Sequence, residues 1–179
     1  MAWIAGVLVG GLTVLWIAWN LSLDALWQPT DRETVRRILF LAEIEPDDRV
    51  IDLGCGDGRF VIAAARDYKA RALGVEIDPF RVLWARMWIR LAGLSKRAHV
   101  VHANMYTHDV SGADVVILFL SATSNFRLQY RLRTQLAPGA RVVSYYHPMW
   151  GWKPSVVGEA KAGHPIYVYR IGDDLGNTG

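Results

Sequence analysis

The sequence predicts an α/β protein: a doubly wound, mostly parallel sheet of seven strands with an antiparallel C-terminal hairpin, preceded by one N-terminal transmembrane helix. Three observations predict it. Strand-like and helix-like segments alternate from residue 49 to residue 146, the pattern of consecutive βα units. Apolar runs such as VVILFL at 115–120 suit parallel strands covered on both faces. The first 23 residues contain no Asp, Glu, Lys or Arg.

That uncharged start defines the first of three regions. Residues 2–23 have only Thr13, Asn20 and Ser22 as clearly polar side chains. As a helix they would span roughly 33 Å, against a hydrocarbon core of about 30 Å. Trp3 lies at one end and Trp16, Trp19 and Trp27 towards the other, where indole rings favour the headgroup level. Residues 1–27 are therefore expected to be an anchor in the lipid bilayer. Basic residues follow it at Arg32, Arg36 and Arg37 and none precede it. The expected localisation is a single-pass membrane protein with its C-terminal domain on the cytoplasmic side.

Residues 28–172 are expected to form the α/β domain and 173–179 a flexible tail. Gln28-Pro29 ends the anchor, and Thr30-Asp31-Arg32-Glu33 matches a capping box with Thr30 as the cap. A helix over 31–43 puts Val35, Ile38, Leu39 and Ala42 on one face. Pro46-Asp47-Asp48 turns the chain. Strands follow at 49–53, 71–76, 98–103, 114–120 and 140–146, with helices at 58–67, 79–92 and 124–136 between them. Strand-like runs at 155–161 and 165–171, separated by Ala162-Gly163-His164, make the hairpin.

Composition excludes some functions. The net charge is +3, no run of five basic residues occurs, and no stripe of aromatics alternates with basic residues, so no nucleic-acid partner is expected. The single cysteine, Cys55, rules out an intrachain disulfide and a zinc pattern. His99 and His102 fall on opposite faces of a strand, and no metal is expected.

The chemistry-bearing motif is Asp52-Leu53-Gly54-Cys55-Gly56-Asp57-Gly58, after a strand and opening a helix. Its glycines let the backbone turn tightly and approach a ligand, and the helix N-terminus adds partial positive charge. Eighteen residues after Gly58, Glu76 ends the second strand, where an acid accepts hydrogen bonds from ribose hydroxyls. A dinucleotide loop has GxGxxG; this one has GxGxG, with Asp52 and Asp57 beside it. Those acids repel a pyrophosphate and suit a ligand with an amino group and a positive sulfonium.

DLGCGDGR followed by GVEIDP resembles motif I and its successor in the class I, seven-strand S-adenosylmethionine-dependent methyltransferases, over roughly residues 28–170. The resemblance implies S-adenosyl-L-methionine as cofactor. Asp52, Gly54 and Gly56 would lie along its methionine part, Glu76 would bind its ribose and Ile77 would pack on its adenine. The family usually has an acid after the third strand for the adenine amino group; Asn104 stands there, and its side-chain oxygen can accept the same bond. Cys55 is expected to be a small filler of the loop, not a nucleophile.

The acceptor side is read from two stretches. LFLSATSNFRLQ, at 118–129, replaces the Asp/Asn-Pro-Pro-aromatic motif of base methylation. With Trp27-Gln28-Pro29-Thr30 and the run SYYHPMWGWKP from Ser144 to Pro154, it resembles a small group of protein lysine methyltransferases. That group includes an archaeal enzyme of broad specificity and membrane-anchored mitochondrial enzymes. The resemblance implies transfer to a lysine of a membrane or membrane-adjacent protein. Tyr145, Tyr146 and His147 are candidate catalytic residues, and Trp150 and Trp152 candidate channel walls. The alternatives are methylation of a small hydrophobic molecule such as a lipid or quinone, and a non-catalytic cofactor-binding scaffold.

Overall fold

Val50, Ile51, Asp52 and Leu53 are all buried in β1 (Arg49–Leu53), and so is every residue of β4 (Val115–Leu118). Strands with no exposed face belong in the middle of a sheet covered on both sides, and that is where they lie. In the computed structural model, which describes residues 30–173 and before them only Trp3, Gly6, Gly10 and Gly11, β1 pairs with both β4 and β2 (Arg71–Glu76) in parallel. β3 (Ala98–His102) extends the sheet beyond β2, and β5 (Arg141–Tyr145) extends it beyond β4. β7 (Pro165–Arg170) runs antiparallel to β5, and β6 (Val156–Glu159) antiparallel to β7. The order β3-β2-β1-β4-β5-β7-β6 is the predicted doubly wound sheet with its terminal hairpin. Strand order reverses between β1 and β4, which opens a crevice at their carboxyl ends.

Helices cover both faces. α1 (Arg32–Leu41), α2 (Arg59–Asp67) and α3 (Pro79–Leu91) bury Val35, Ile38, Leu39, Phe60, Val61, Val82, Ala85 and Ile89 on one side. α4 (Ala122–Gln135) buries Leu128 and Leu132 on the other, beside Trp152 and Tyr169. Each predicted strand and helix of the domain is present, with ends shifted by two residues at most.

The helix starts follow from capping chemistry. Asp78 caps α3, accepting from the amides of Phe80 and Arg81, with Pro79 in the first turn. Ser121 caps α4 by accepting from the Ser124 amide at 3.1 Å. At α1 the cap is Asp31, not Thr30. Its Oδ1 accepts from the Glu33 and Thr34 amides at 3.0 Å each, and its Oδ2 from the Thr34 hydroxyl at 2.6 Å. Thr30 lies one residue outside, its carbonyl accepting from Arg59.

The transmembrane part of the predicted architecture is corrected. Among the described residues no helix is long and apolar enough to cross a membrane. The longest, α4, has 14 residues and reaches about 21 Å, short of a hydrocarbon core of about 30 Å. The stretch 2–23 lies outside the described residues apart from the four named positions, and so does the tail from residue 174.

Candidate functional site

The loop between β1 and α2 is shaped by three glycines in the left-handed region, Gly54 (φ 80°), Gly56 (φ 55°) and Gly58 (φ 77°). L side chains rarely adopt that conformation. The amides of Gly54 and Cys55 both donate to the Val75 carbonyl, at 2.8 and 3.1 Å, so the loop folds back over the end of β2. A Cβ on Gly54 would stand 2.9 Å from Leu120 Cδ2, and one on Gly74 only 2.5 Å from Cys55 Sγ. Gly74, inside β2, thus makes room for the loop. It was not among the predicted site residues, although a lone glycine within a strand signals such an approach. Cys55 is buried, and burial followed by the charges of Asp52, Glu76 and Asp57 pushes its thiol further up. It fills space, as expected.

Glu76 is buried and heavily engaged. Its Oε2 accepts from the Gly56 amide at 2.8 Å, and its Oε1 from the amides of Ile77 and Asp78, both at 2.9 Å. An ionised carboxylate offers about four acceptor positions, so one remains, on Oε2, for a ligand hydroxyl. Asp52 is 3% exposed, and its Oδ2 has no hydrogen-bond partner among the described residues. Burial, with smaller contributions from Glu76 and Asp57, raises its pKa to about 8. An orphaned buried acid next to a second buried acid favours a cationic ligand. The residues therefore fit a nucleoside with a positive centre: Glu76 for the sugar, Asp52 for the charged end.

The other predicted cofactor residues have prior engagements. Asp57 does not face the loop as a free charge, because Arg59 Nε donates to its Oδ1 at 2.9 Å and the two form an ion pair. Ile77 is half-buried at the end of β2, with the His102 ring nitrogen 2.8 Å from its carbonyl oxygen. Asn104 is exposed, and its Oδ1 accepts from the Tyr106 amide at 2.8 Å, which closes an Asx turn.

On the acceptor side, β4 ends at Leu118, so Phe119 and Leu120 leave the ladder. Leu120 reaches Gly54, and the Phe119 ring packs 4.7 Å from that of Tyr145. Tyr145 is buried, and burial, then Asp31 and Tyr146, pushes its phenol up. Tyr146 is exposed and holds φ 75°, an uncommon conformation for a bulky residue that is frequent at functional sites. Its ring centroid lies 4.8 Å from that of His147 and 4.6 Å from that of His164. Sequence reading missed His164; the pairing of Tyr145 with Ile166 brings it here. Buried Asn125 on α4 fixes the turn, donating from Nδ2 to Ser144 Oγ and to the His147 carbonyl, both at 2.9 Å.

The tryptophans separate. Trp150 is exposed against Phe126, with ring centroids 6.0 Å apart. Trp152 is buried against Tyr169 at 5.5 Å and belongs to the core, which corrects its expected place in a channel wall. The Tyr169 hydroxyl accepts from the Met149 amide at 2.9 Å, anchoring the same segment.

Comparison with known proteins agrees with this geometry. The family described as ANTKMT methyltransferase domain matches residues 52–156. A protein-lysine N-methyltransferase of Saccharolobus islandicus (strain REY15A) is 42% identical over 149 residues, covering 81% of this chain and 92% of that protein. An adenine nucleotide translocase lysine N-methyltransferase of Mus musculus is 34% identical over 140 residues, covering 78% of this chain and 61% of that protein. Among solved structures, an RNA methyltransferase from Salinibacter ruber in complex with S-adenosyl-L-homocysteine superposes with a TM-score of 0.79 at 37% identity, covering 83% of this chain and 96% of that one.

Proposed function

The chain belongs to the ANTKMT methyltransferase domain family, within the class I S-adenosylmethionine-dependent methyltransferases, and from that premise we propose that its methyl acceptor is the side-chain nitrogen of a lysine in a protein. The observation that carries the reading is the 42% identity, over 92% of its length, to a protein named a protein-lysine N-methyltransferase.

The site's own chemistry supports it. A bound S-adenosylmethionine supplies a methyl on a positive sulfonium, which the lone pair of a neutral amine takes as the carbon–sulfur bond breaks. Asp52 and Glu76 orient that cofactor from one side of the crevice, and the loop glycines let it lie against the backbone. Lysine has an ordinary pKa of about 10.4 and must lose a proton before attack. The aromatic surface formed by buried Tyr145, half-buried Phe119 and exposed Tyr146 disfavours the charged ammonium while guiding the aliphatic chain. Imidazole is the side-chain type that exchanges protons near neutrality, and His147 and His164 flank Tyr146. Alignment of donor and acceptor contributes most of the acceleration.

We further place the acceptor protein at a membrane, on the support of the mouse relative, which is named for the adenine nucleotide translocase. A second reading is an RNA acceptor, because a solved neighbour is called an RNA methyltransferase; the small net charge of +3 favours protein. The test is incubation of the purified protein with methyl-labelled cofactor and a cell lysate, followed by protease and RNase digestion. Protease-sensitive label that maps to lysine supports the proposal. RNase-sensitive label, or label in the organic extract, contradicts it.

A further inference from the structure

α3 faces the sheet with Val82, Ala85 and Ile89, all buried. That stripe is what the fold requires of it. The opposite arc carries Phe80, Leu83, Trp84, Met87, Trp88 and Leu91, each between 41% and 69% exposed. Helical spacing makes these six one continuous surface. So many large apolar side chains exposed together mark an interaction site. Trp84 and Trp88 meet edge to face, with ring centroids 5.8 Å apart.

We propose that this arc docks on the surface of an anionic lipid bilayer, lying in the interface without crossing it. Charge argues for lipid. α3 contains Arg81, Arg86 and Arg90 and no acidic residue; Arg86 and Arg90 are exposed and fall along one edge of the apolar arc. An apolar face bordered by arginine is the pattern of a helix buried to headgroup depth, the depth that tryptophan favours. Continuity argues the same way. A groove of about 700 Å³ joins Trp88 and Leu91 to Arg32 and Arg36, its other two arginines, Arg59 and Arg66, being paired with Asp57 and Asp67. Because Asp78 caps α3 two residues after Glu76, docking sets the cofactor crevice at bilayer level. The surface acts whichever nitrogen is methylated, so it stands or falls apart from the acceptor assignment.

The test uses the full chain. Cys55 is buried, so a thiol-reactive, environment-sensitive dye reports from an introduced cysteine: Met87→Cys on the arc, and Tyr130→Cys on α4, 75% exposed, as the reference. Vesicles of phosphatidylcholine with about one-third phosphatidylglycerol are expected to blue-shift the dye at 87 and leave it unchanged at 130. Adding Arg86→Glu and Arg90→Glu to the Met87→Cys protein should weaken vesicle affinity at least about thirtyfold. No shift at 87, equal shifts at both positions, or equal affinity for vesicles without phosphatidylglycerol would overturn the proposal. So would a shift at 87 that grows with protein concentration in the absence of lipid, which would mean that a second copy covers the arc.

Discussion

The Gly56 amide donates to Glu76 Oε2 across 2.8 Å, joining the loop after β1 to the last residue of β2. Glu76 thus holds the cradle in shape with the same carboxylate that the cofactor's sugar needs. Glu76→Gln replaces an acceptor oxygen by an amide that faces backbone donors. Bonds to a charged group are worth about 1.5–3 kcal/mol each, so the variant should lose about 2 kcal/mol of stability and at least about tenfold in cofactor affinity. Denaturant titration and calorimetry check the two losses separately.

Asp52 makes both stability and binding depend on pH. With a folded pKa of about 8 against an ordinary 3.8, the folded protein keeps a proton that the unfolded chain has lost. Stability should therefore fall as pH rises between about 4 and 8, by up to about 1.4 kcal/mol per pH unit. A cationic cofactor favours the ionised carboxylate, so its affinity should rise with pH up to about 8 and then level off. Asp52→Asn should flatten both trends relative to the unaltered protein, measured by thermal melts and calorimetry across pH 5–9.

Gly74→Ala tests the close approach beneath the loop. Its Cβ would fall 2.5 Å from Cys55 Sγ and 3.0 Å from Val61 Cγ2, so the loop must lift. Overpacking of this kind costs about 1–3 kcal/mol. Cofactor affinity should fall with stability, whereas Gly93→Ala, where no atom lies within 4 Å, should leave affinity unchanged.

Asn125→Asp removes both Nδ2 donors to the turn after β5. It leaves the Ser144 hydroxyl and the His147 carbonyl facing a carboxylate. The expected result is a fall in kcat of about tenfold with cofactor Kd unchanged, plus about 1–3 kcal/mol of stability. Steady-state kinetics beside calorimetry separate the two effects.

The domain was legible in the sequence because its signals are local. Apolar strands buried on both faces, helices with their own caps and a glycine loop after the first strand all read out within about ten residues. Asp52 stands out as a candidate beside that loop, and Glu76 by its place at the end of the second strand, eighteen residues after Gly58. The remaining features depend on tertiary placement. Thr and Asp are both residue types that cap helices, so Thr30 and Asp31 look alike, and the contact of Arg59 with the Thr30 carbonyl is not visible from spacing. Trp150 and Trp152 look alike in sequence, yet one meets Phe126 at the surface and the other Tyr169 in the core. His164 reads as a hairpin residue until β5–β7 pairing sets it beside Tyr146. The run 2–23 matches a bilayer in length and apolarity, but no helix among the described residues is long and apolar enough to cross one.

A crystal structure with S-adenosyl-L-homocysteine soaked in tests the cofactor cradle head on. The nucleoside should lie in the crevice above Gly54–Gly58, with a sugar hydroxyl on Glu76 Oε2 and its amino group towards Asp52. Density for the ligand elsewhere, or a Glu76 carboxylate that makes no contact with it, would rule out this cofactor site.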